Sequence, residues 1–333
     1  MNRNILIISN DKLLIKQDKI SSDYNDTINI IEGLAKKNYL SFFCRTSHVI
    51  KNFTSKKQKY KKFLKLKFFD LNRITNYKIF MISITPLNFF TLLFLKICNN
   101  KTSGYVYLRS DGHKEYYYKY GIFGQVLYHF MFRVVTSYLK IVTVSKSLTG
   151  LKKNYSLVNP SEIEKQWFLN RVKPSLIKPK LLYLGRYKKE KGIFSLINII
   201  NLLKTDLKLN IVGTNKKILS TNKKIKYFQE LSSIKSIINC YDECNIFVLP
   251  SYTEGSPKVI LESLARHRPV IVFKDIKHVK KNFRGVFVCK RNTKDFLNNI
   301  QFILSNYSKI IKKIKKNKIV TKKDFQNELS KII

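Results

Sequence analysis

NIFVLPSYTEGSPKVILESLARHRPVIVF, residues 245–273, reads as strand, loop, helix, strand. Ile246–Leu249 is a short apolar run of β-favouring residues, as expected of a buried parallel strand, and Pro250 ends it. Ser251–Ser256 is polar and carries Gly255, which makes it a loop. Pro257 suits a first helical position, and Val259, Ile260, Leu261 and Leu264 follow at helical spacing until Pro269. Val270–Phe273 is the next buried strand. Two carboxylates stand out. Glu254 lies in the loop, and Glu262 lies in the helix after seven intervening residues. At about 1.5 Å rise per residue, Glu262 sits roughly 7–8 Å along the axis from Pro257. The helix start between them offers backbone N–H groups and a positive dipole end to a phosphate. In such a site Glu254 would hold sugar hydroxyls and Glu262 a ribose diol. The plain alternative is a capping Glu and a solvated helix Glu.

The passage PSYTEGSPKVILES closely resembles the C-terminal signature of retaining GT-B glycosyltransferases of family 4, with the spacing of the two glutamates intact. In that family the first Glu contacts the donor sugar and the second the donor ribose. The resemblance therefore implies those roles for Glu254 and Glu262.

A second motif precedes this one by about 70 residues. Gly185-Arg186 and Lys191-Gly192 frame the loop GRYKKEKG after the expected strand Leu181–Leu184. Gly185 lets the backbone approach a ligand closely. Arg186 offers a fixed fork of donors and Lys191 a point charge, so both can converge on one diphosphate. A departing nucleoside diphosphate gains negative charge that two cations would stabilise. Spacing alone is weak evidence in a chain with 64 Lys and Arg. The passage is also similar to the G-R-x-x-x-x-K-G run of the same family, whose Arg and Lys bind the donor diphosphate. No two Asp residues stand two apart, so the sequence lacks an Asp-x-Asp metal clamp, and it has neither a Walker loop nor a G-x-G-x-x-G run. The expectation is metal-independent transfer with no cofactor, the donor being a UDP-sugar or GDP-sugar. Gly255 and Ser256 would add backbone N–H groups to the anion site.

Composition bounds the rest. At 333 residues and 44% hydrophobic content the chain has room for two domains with real cores. The start, MNRNILIISN, reads as a strand without the apolar region or cleavage site of a signal peptide. Five scattered cysteines fit a reducing cytosol. Cys240 and Cys244 lack a second pair at zinc spacing and read as buried thiols. The net charge of +43 admits three readings: nucleic-acid binding, an anionic membrane surface, and drift of composition towards Lys, Asn and Ile. Lysines spread along the whole chain and no nucleic-acid motif appears, which favours drift with a secondary membrane role.

In chain order, Asn4–Ser9 is strand one, and the polar segment Asn10–Asn29, with Asp11, Asp18, Asp23 and Asp26, is a candidate acceptor loop or simply a solvated one. It lacks the Gly-rich pair common in the family. Thr27–Lys37 is a helix and Leu40–Cys44 a strand. Thr46–Lys62 is a Lys-rich surface segment and a lipid-facing candidate, and Leu66–Phe69 a further strand. Ile79–Leu95 has seventeen residues without a charge, but Thr85-Pro86 and Asn88 interrupt it below the ~20 needed to span a bilayer. It divides into a strand, Ile79–Ile84, and a helix, Asn88–Ile97.

Tyr105–Arg109 is a strand running into SDGHKEYYYKYG. His113 there is a candidate for the donor sugar or leaving diphosphate, a role the family resemblance implies. The alternative is a turn His beside Asp111 capping the next helix. Phe123–Leu139 reads as a core helix, although an aromatic, basic surface helix would suit a membrane interface. Ile141–Val144 is a strand opening into Ser145-Lys146-Ser147, similar to the end of the family's N-terminal domain.

Three prolines in Val158–Lys180 mark a boundary. It divides residues 1–172, an acceptor-binding domain, from 173–333, a nucleotide-sugar-binding domain with C-terminal helices. Ile193–Lys204 and Ser232–Cys240 are helices, Leu207–Val212 and Gly285–Cys289 strands, and Asp295–Leu304 and Lys309–Ile333 helical.

The fold expected is α/β, GT-B, with two Rossmann-like domains facing across a cleft. The resemblance implies retention of anomeric configuration, with Arg186 and Lys191 steadying the leaving group and Glu254 and His113 completing the catalytic set. The acceptor expected is a glycan or lipid-linked glycan in surface polysaccharide or lipopolysaccharide synthesis, and the location cytoplasmic, peripheral on the inner membrane face. Two rivals stand beside it. One is a basic nucleic-acid-binding protein on a degenerate transferase fold. The other is an inverting GT-B enzyme with Asp111 as base.

Overall fold

The computed structural model describes residues 3–16, 19–47, 63–65, 71, 76–98, 103–150, 152–214, 222–231, 233–254 and 256–333. Asp18, Leu66–Phe69, Ser232, Gly255 and the surface segment beyond Ser47 lie outside them. The chain divides into two compact units, Met1–Glu162 with Lys322–Ile333, and Ile163–Thr321. This division differs from a cut at 172/173, because the last helix packs with the first unit.

The first unit is built on parallel strands in the order β4 (Phe63–Lys65), β3 (Asn38–Thr46), β1 (Arg3–Lys16), β5 (Lys78–Ile82), β6 (Ser103–Leu108), β7 (Lys140–Thr143), β8 (Tyr155–Leu157). Ile5 to Ile8 are all fully buried because helices cover both faces. Ile5 and Ile7 join the core with Ile28, Ile31 and Leu34 of α1 (Asn25–Ala35) and Phe325 and Leu329 of α9 (Lys322–Ile332). Leu6 and Ile8 point the other way, towards Leu92 of α2 (Pro86–Cys98) and Met131 and Val135 of α3 (Gly112–Tyr138). The charge-free stretch at 79–95 thus forms a buried strand and a helix, as its Pro and Asn predict. Among the described residues no helix is long and apolar enough to cross a membrane.

Three expectations are corrected here. The polar segment after strand one is not a loop. β1 continues through it, with a register shift between Ser9 and Lys12, and turns into the antiparallel β2 (Lys19–Ser22). Leu13 and Ile20 are buried there, an apolar signal masked by neighbouring Lys and Asp. Asp11 does not face solvent. It accepts two hydrogen bonds from Arg109, at 3.0 and 3.2 Å, and one from Thr27 Oγ1 at 2.5 Å.

The aromatic helix starts at Gly112, breaks at Gly121 (φ 66°), and is core on one side only: Tyr128, Met131, Phe132 and Val135 are buried, while Phe123, Val126 and Phe130 are exposed. The C-terminal run at 309–333 is two helices, α8 (Tyr307–Ile314) and α9. The second of these closes over α1, where Glu32 meets Lys322 at 2.8 Å and Gln326 at 3.0 Å.

The second unit has six parallel strands in the order β11 (Ile225–Gln229), β10 (Lys208–Thr214), β9 (Lys180–Leu184), β12 (Ile246–Leu249), β13 (Val270–Phe273), β14 (Val286–Cys289). The order reverses between β9 and β12, which places a ligand crevice at the carboxyl ends of those two strands. Helices α4 (Ile193–Leu202), α5 (Ile234–Asp242), α6 (Lys258–Ala265) and α7 (Thr293–Ser305) surround the sheet over one continuous core.

Two arginines lie inside that unit, Arg266 and Arg268, each about 1% exposed. Arg266 forks onto Asp242, at 2.9 and 2.6 Å, and also donates to the carbonyls of Trp167, Leu169 and Asn170. Arg268 donates to the carbonyls of Tyr241, Asp242, Val172 and Arg266. Buried charges persist only when paired and fully hydrogen-bonded, and here nearly every donor has an acceptor. His267 sits between them with φ 57°. Its pKa is pushed down to about 4, first by burial and then by the cations of Arg171, Lys315, Arg268 and Arg266.

Two outcomes follow for stability. Asp242→Ala strands two buried guanidiniums and is expected to cost about 3–5 kcal/mol in urea unfolding. Because the folded pKa of His267 lies below its unfolded value, the unfolded chain binds more protons between the two, so stability falls as pH drops from about 6.5 to about 4. His267→Asn, which accepts a left-handed backbone, is expected to flatten that acid slope measurably in melts at stepped pH.

Candidate functional site

The loop after β9 and the loop after β12 meet at the reversal point of the second sheet. Lys191 Nζ lies 2.7 Å from Glu254 Oε1, and Ser251 Oγ donates to the same oxygen at 2.7 Å. The pair is mostly shielded, with side-chain exposures of 22% and 14%. The backbone joins them too, since Tyr252 N donates to Glu190 O at 3.2 Å. Gly192 has φ 68°, and a Cβ there would lie 1.9 Å from Pro250 O. Only glycine allows both that conformation and that approach.

Beneath the first loop, Gly185 N donates to Val212 O at 3.0 Å. Tyr183 OH donates to the carbonyl of Arg186 at 2.8 Å, which fixes the start of the loop. Burial and then the Glu254 carboxylate push the Tyr183 phenol well up, so it stays a donor. Arg186 itself is exposed, and its side chain has no ion-pair partner among the described residues.

The α6 helix begins at Lys258, with Pro257 as its extended N-cap and no side-chain cap. This is one residue later than the sequence suggests, because Pro257 has ψ 110°. Ser256 is half-buried just before it, and Gly255 lies outside the described residues. One turn into the helix, Glu262 Oε2 accepts from Tyr241 OH at 2.9 Å. Tyr241 is fully buried, and its phenol is raised by burial and then by Glu262.

Sequence reasoning missed Tyr183, Tyr241, Ser251 and Arg291. Arg291 follows the carboxyl end of β14. It donates to Pro250 O at 2.9 Å and Ser195 Oγ at 2.7 Å, pairs with Asp275 at 2.6 Å, and lies over the rings of Tyr252 and Phe273. A cation after a strand end was the available signal, hidden among 64 Lys and Arg.

Gly185, Arg186, Lys191, Glu254, Ser256 and Glu262 therefore all belong to the carboxyl end of one sheet. His113 belongs to the first unit. It lies in the first turn of α3, with Nε2 3.3 Å from His129 Nδ1 and its ring against Tyr128 and Phe132. Burial lowers its pKa, Asp111 opposes this, and His129 adds to it. Asp111, the base candidate of the inverting rival, is the N-cap of α3, accepting from Lys114 N at 3.2 Å and pairing with Lys114 Nζ at 3.6 Å.

Residues 178–306 match the family model described as Glycosyl transferases group 1. A putative teichuronic acid biosynthesis glycosyltransferase of Bacillus subtilis is 34% identical over 90 residues, covering 27% of this chain and 23% of the relative. An N,N'-diacetylbacillosaminyl-diphospho-undecaprenol alpha-1,3-N-acetylgalactosaminyltransferase of Campylobacter jejuni is 25% identical over 175 residues, covering 50% of this chain and 46% of the relative. The chain thus spans less than half the length of these two curated relatives.

Among solved structures, a sucrose-phosphate synthase of Thermosynechococcus elongatus aligns with TM-score 0.64 at 14% identity, covering 99% of this chain and 94% of the other. A lipopolysaccharide outer core galactosyltransferase in apo form gives 0.62 at 15% identity, covering 99% and 100%. An Anabaena protein solved with UDP and glucose gives 0.64 at 10% identity, covering 98% of both. These likenesses show the fold, which is α/β and of the GT-B type.

The Tyr241 hydroxyl fixes one oxygen of Glu262. Tyr241→Phe is expected to leave the melting temperature within a few degrees while weakening any nucleoside-diphosphate binding at this site by roughly 10-fold or more in calorimetric titration, the worth of one hydrogen bond to a charged group.

Proposed function

We propose that this protein, a GT-B chain whose residues 178–306 form a glycosyl transferases group 1 module, moves a sugar from a nucleoside-diphosphate sugar to a glycan or lipid-linked glycan. The observation that carries the reading is the junction of the two loops through Lys191 and Glu254 at the reversal point of the sheet. That junction puts a cation, a carboxylate and the start of a helix around one spot. Arg186 and Lys191 hold the diphosphate, helped by the backbone at the start of α6. Glu254 takes hydroxyls of the transferred sugar, and Glu262 takes the ribose diol.

The reaction balances simply. The bond from the anomeric carbon to the diphosphate oxygen breaks as the acceptor hydroxyl attacks, and the acceptor proton passes to the departing phosphate. The transition state is oxocarbenium-like, with negative charge growing on the leaving oxygen beside Lys191 and Arg186. Attack from the face the diphosphate leaves retains configuration. Two cations and a helix start supply the positive charge, so no metal is needed in this scheme.

Lys191 is shared between Glu254 and the incoming diphosphate. Its ion pair with Glu254 holds the ammonium in place before the donor arrives, so little reorganisation is required at the moment of reaction. The donor is a UDP-sugar or GDP-sugar. One curated relative is named for teichuronic acid and the other for a diphospho-undecaprenol acceptor, which supports an acceptor in surface polysaccharide or lipopolysaccharide synthesis. We place the enzyme at the cytoplasmic side of a membrane, as a peripheral protein, with the first unit serving the acceptor.

A thermal-shift screen against UDP, GDP, CDP and ADP and their sugars tests the donor site. One nucleotide is expected to raise the melting temperature, and Arg186→Ala and Glu262→Ala to abolish the rise. No rise with any nucleotide sinks the reading. In the same assay Glu254→Gln, which keeps its shape, is expected to change nucleotide binding by less than about 3-fold while transfer falls by roughly 10²-fold or more. Equal losses in binding and transfer would remove Glu254 from sugar orientation.

A further inference from the structure

We propose that the outward side of α3, together with the neighbouring face of α2, is a membrane-docking surface that inserts into an anionic bilayer. This deepens the peripheral placement proposed above and rests on that reading for its biological sense. The physical argument stands on the first unit alone.

The half of α3 after Gly121 has two apolar stripes. The inner one, Tyr128, Met131, Phe132 and Val135, is core. The outer one, Ile122, Phe123, Val126, Leu127 and Phe130, is exposed, with Phe123 at 86%. A helix that is apolar on both sides is normally covered on both sides. The stripe does not stop at α3. The Phe130 ring lies 5.9 Å from that of Phe89, whose neighbour Phe90 is 64% exposed. One α2 face continues from Phe90 to Ile97, seven residues on and 85% exposed. Lys96, beside Ile97, stacks on Tyr138 of α3 at 4.9 Å, closing the far end. Isolated exposed apolar residues mean little, but a contiguous group on two packed helices marks an interaction site.

Charge identifies the occupant. Lys119, Arg133 and Lys140 are exposed on α3 or directly after it. Exposed Tyr117, Tyr118 and Tyr120 lie before the break at Gly121, the residue type that sits at the water–lipid boundary. The whole chain carries +43, so a second copy would bring like charge against like across the same patch. An anionic bilayer offers the complement on both counts, an apolar layer for the stripe and a negative surface for the basic rim. The break at Gly121 also turns the tyrosine segment relative to the apolar one, so the two need not lie at the same depth.

The test is flotation with vesicles of phosphatidylcholine alone or mixed with phosphatidylglycerol, in about 0.15 M salt, where charge alone is screened beyond roughly 8 Å. Wild-type protein is expected to float with the anionic vesicles and far less with the neutral ones. The triple variant Phe123→Gln, Val126→Gln, Phe130→Gln is expected to lose at least about tenfold in partition, or about 1.4 kcal/mol. Ile177→Gln, an equally exposed residue of the second unit, should change nothing. Should the triple variant fold poorly, Phe123→Gln alone is expected to lose several-fold. The triple variant keeps the nucleotide-induced rise in melting temperature, which separates failure here from failure of the donor site. Three results overturn the proposal: wild type that stays unbound, a triple variant that floats like wild type, or a wild-type dimer in sedimentation that the triple variant splits, which would assign the patch to a second copy.

Discussion

Two buried guanidiniums on one carboxylate hold the second unit in its working shape. Arg266 and Arg268 cannot reach water, so their charges require Asp242, and their remaining donors require main-chain carbonyls. Those carbonyls come from residues 167–172, at the entry to the unit, and from the end of α5. The entry segment, α5 and the end of α6 are thereby tied at one point. Tyr241, the residue next to Asp242, is set by the same tie and delivers its hydroxyl to Glu262. A buried ion cluster thus helps set where the Glu262 carboxylate points.

The upper end of the sheet is organised differently, by close approach. Gly192 touches the Pro250 carbonyl, Arg291 donates to that carbonyl, and Lys191 and Ser251 converge on Glu254. A side chain at position 192 would push the two loops apart and separate the ion pair. Arg291 adds planar contacts with Tyr252 and Phe273, so the loop after β12 is held by a guanidinium over rings as well as by hydrogen bonds. The site is built from parts of four strand ends and owes its stiffness to contacts between loops.

In the first unit the governing fact is a parallel sheet covered on both faces. It explains why residues 5–8 of β1 read as an unbroken apolar run and why a helix from the far end of the chain, α9, is needed over α1. It also explains the Asp11–Arg109 pair, which joins the bulged part of β1 to the end of β6 where a carboxylate could not remain buried alone. What that coverage leaves over is the outer stripe of α3, apolar and exposed among the described residues.

Sequence determined the parts that are local or periodic. The apolar runs at 5–8, 79–82, 246–249 and 270–273 could only be buried strands, and the spacing of Glu254, Pro257 and Glu262 placed a loop and a helix start between two carboxylates. GRYKKEKG after a strand marked the second loop. Other features needed the tertiary structure, because they join residues far apart in the chain. Lys191 with Glu254, Tyr241 with Glu262 and Arg291 with Pro250 are contacts across 63, 21 and 41 residues. No local pattern distinguishes those cations from the other lysines and arginines. The α9 helix looks alike wherever it docks, and Asp11 looks like any loop aspartate until Arg109 arrives from 98 residues away. Period and spacing are properties of a few neighbouring bonds, so the chain states them outright. Which charge meets which is decided only when strands align and the surroundings lose their water.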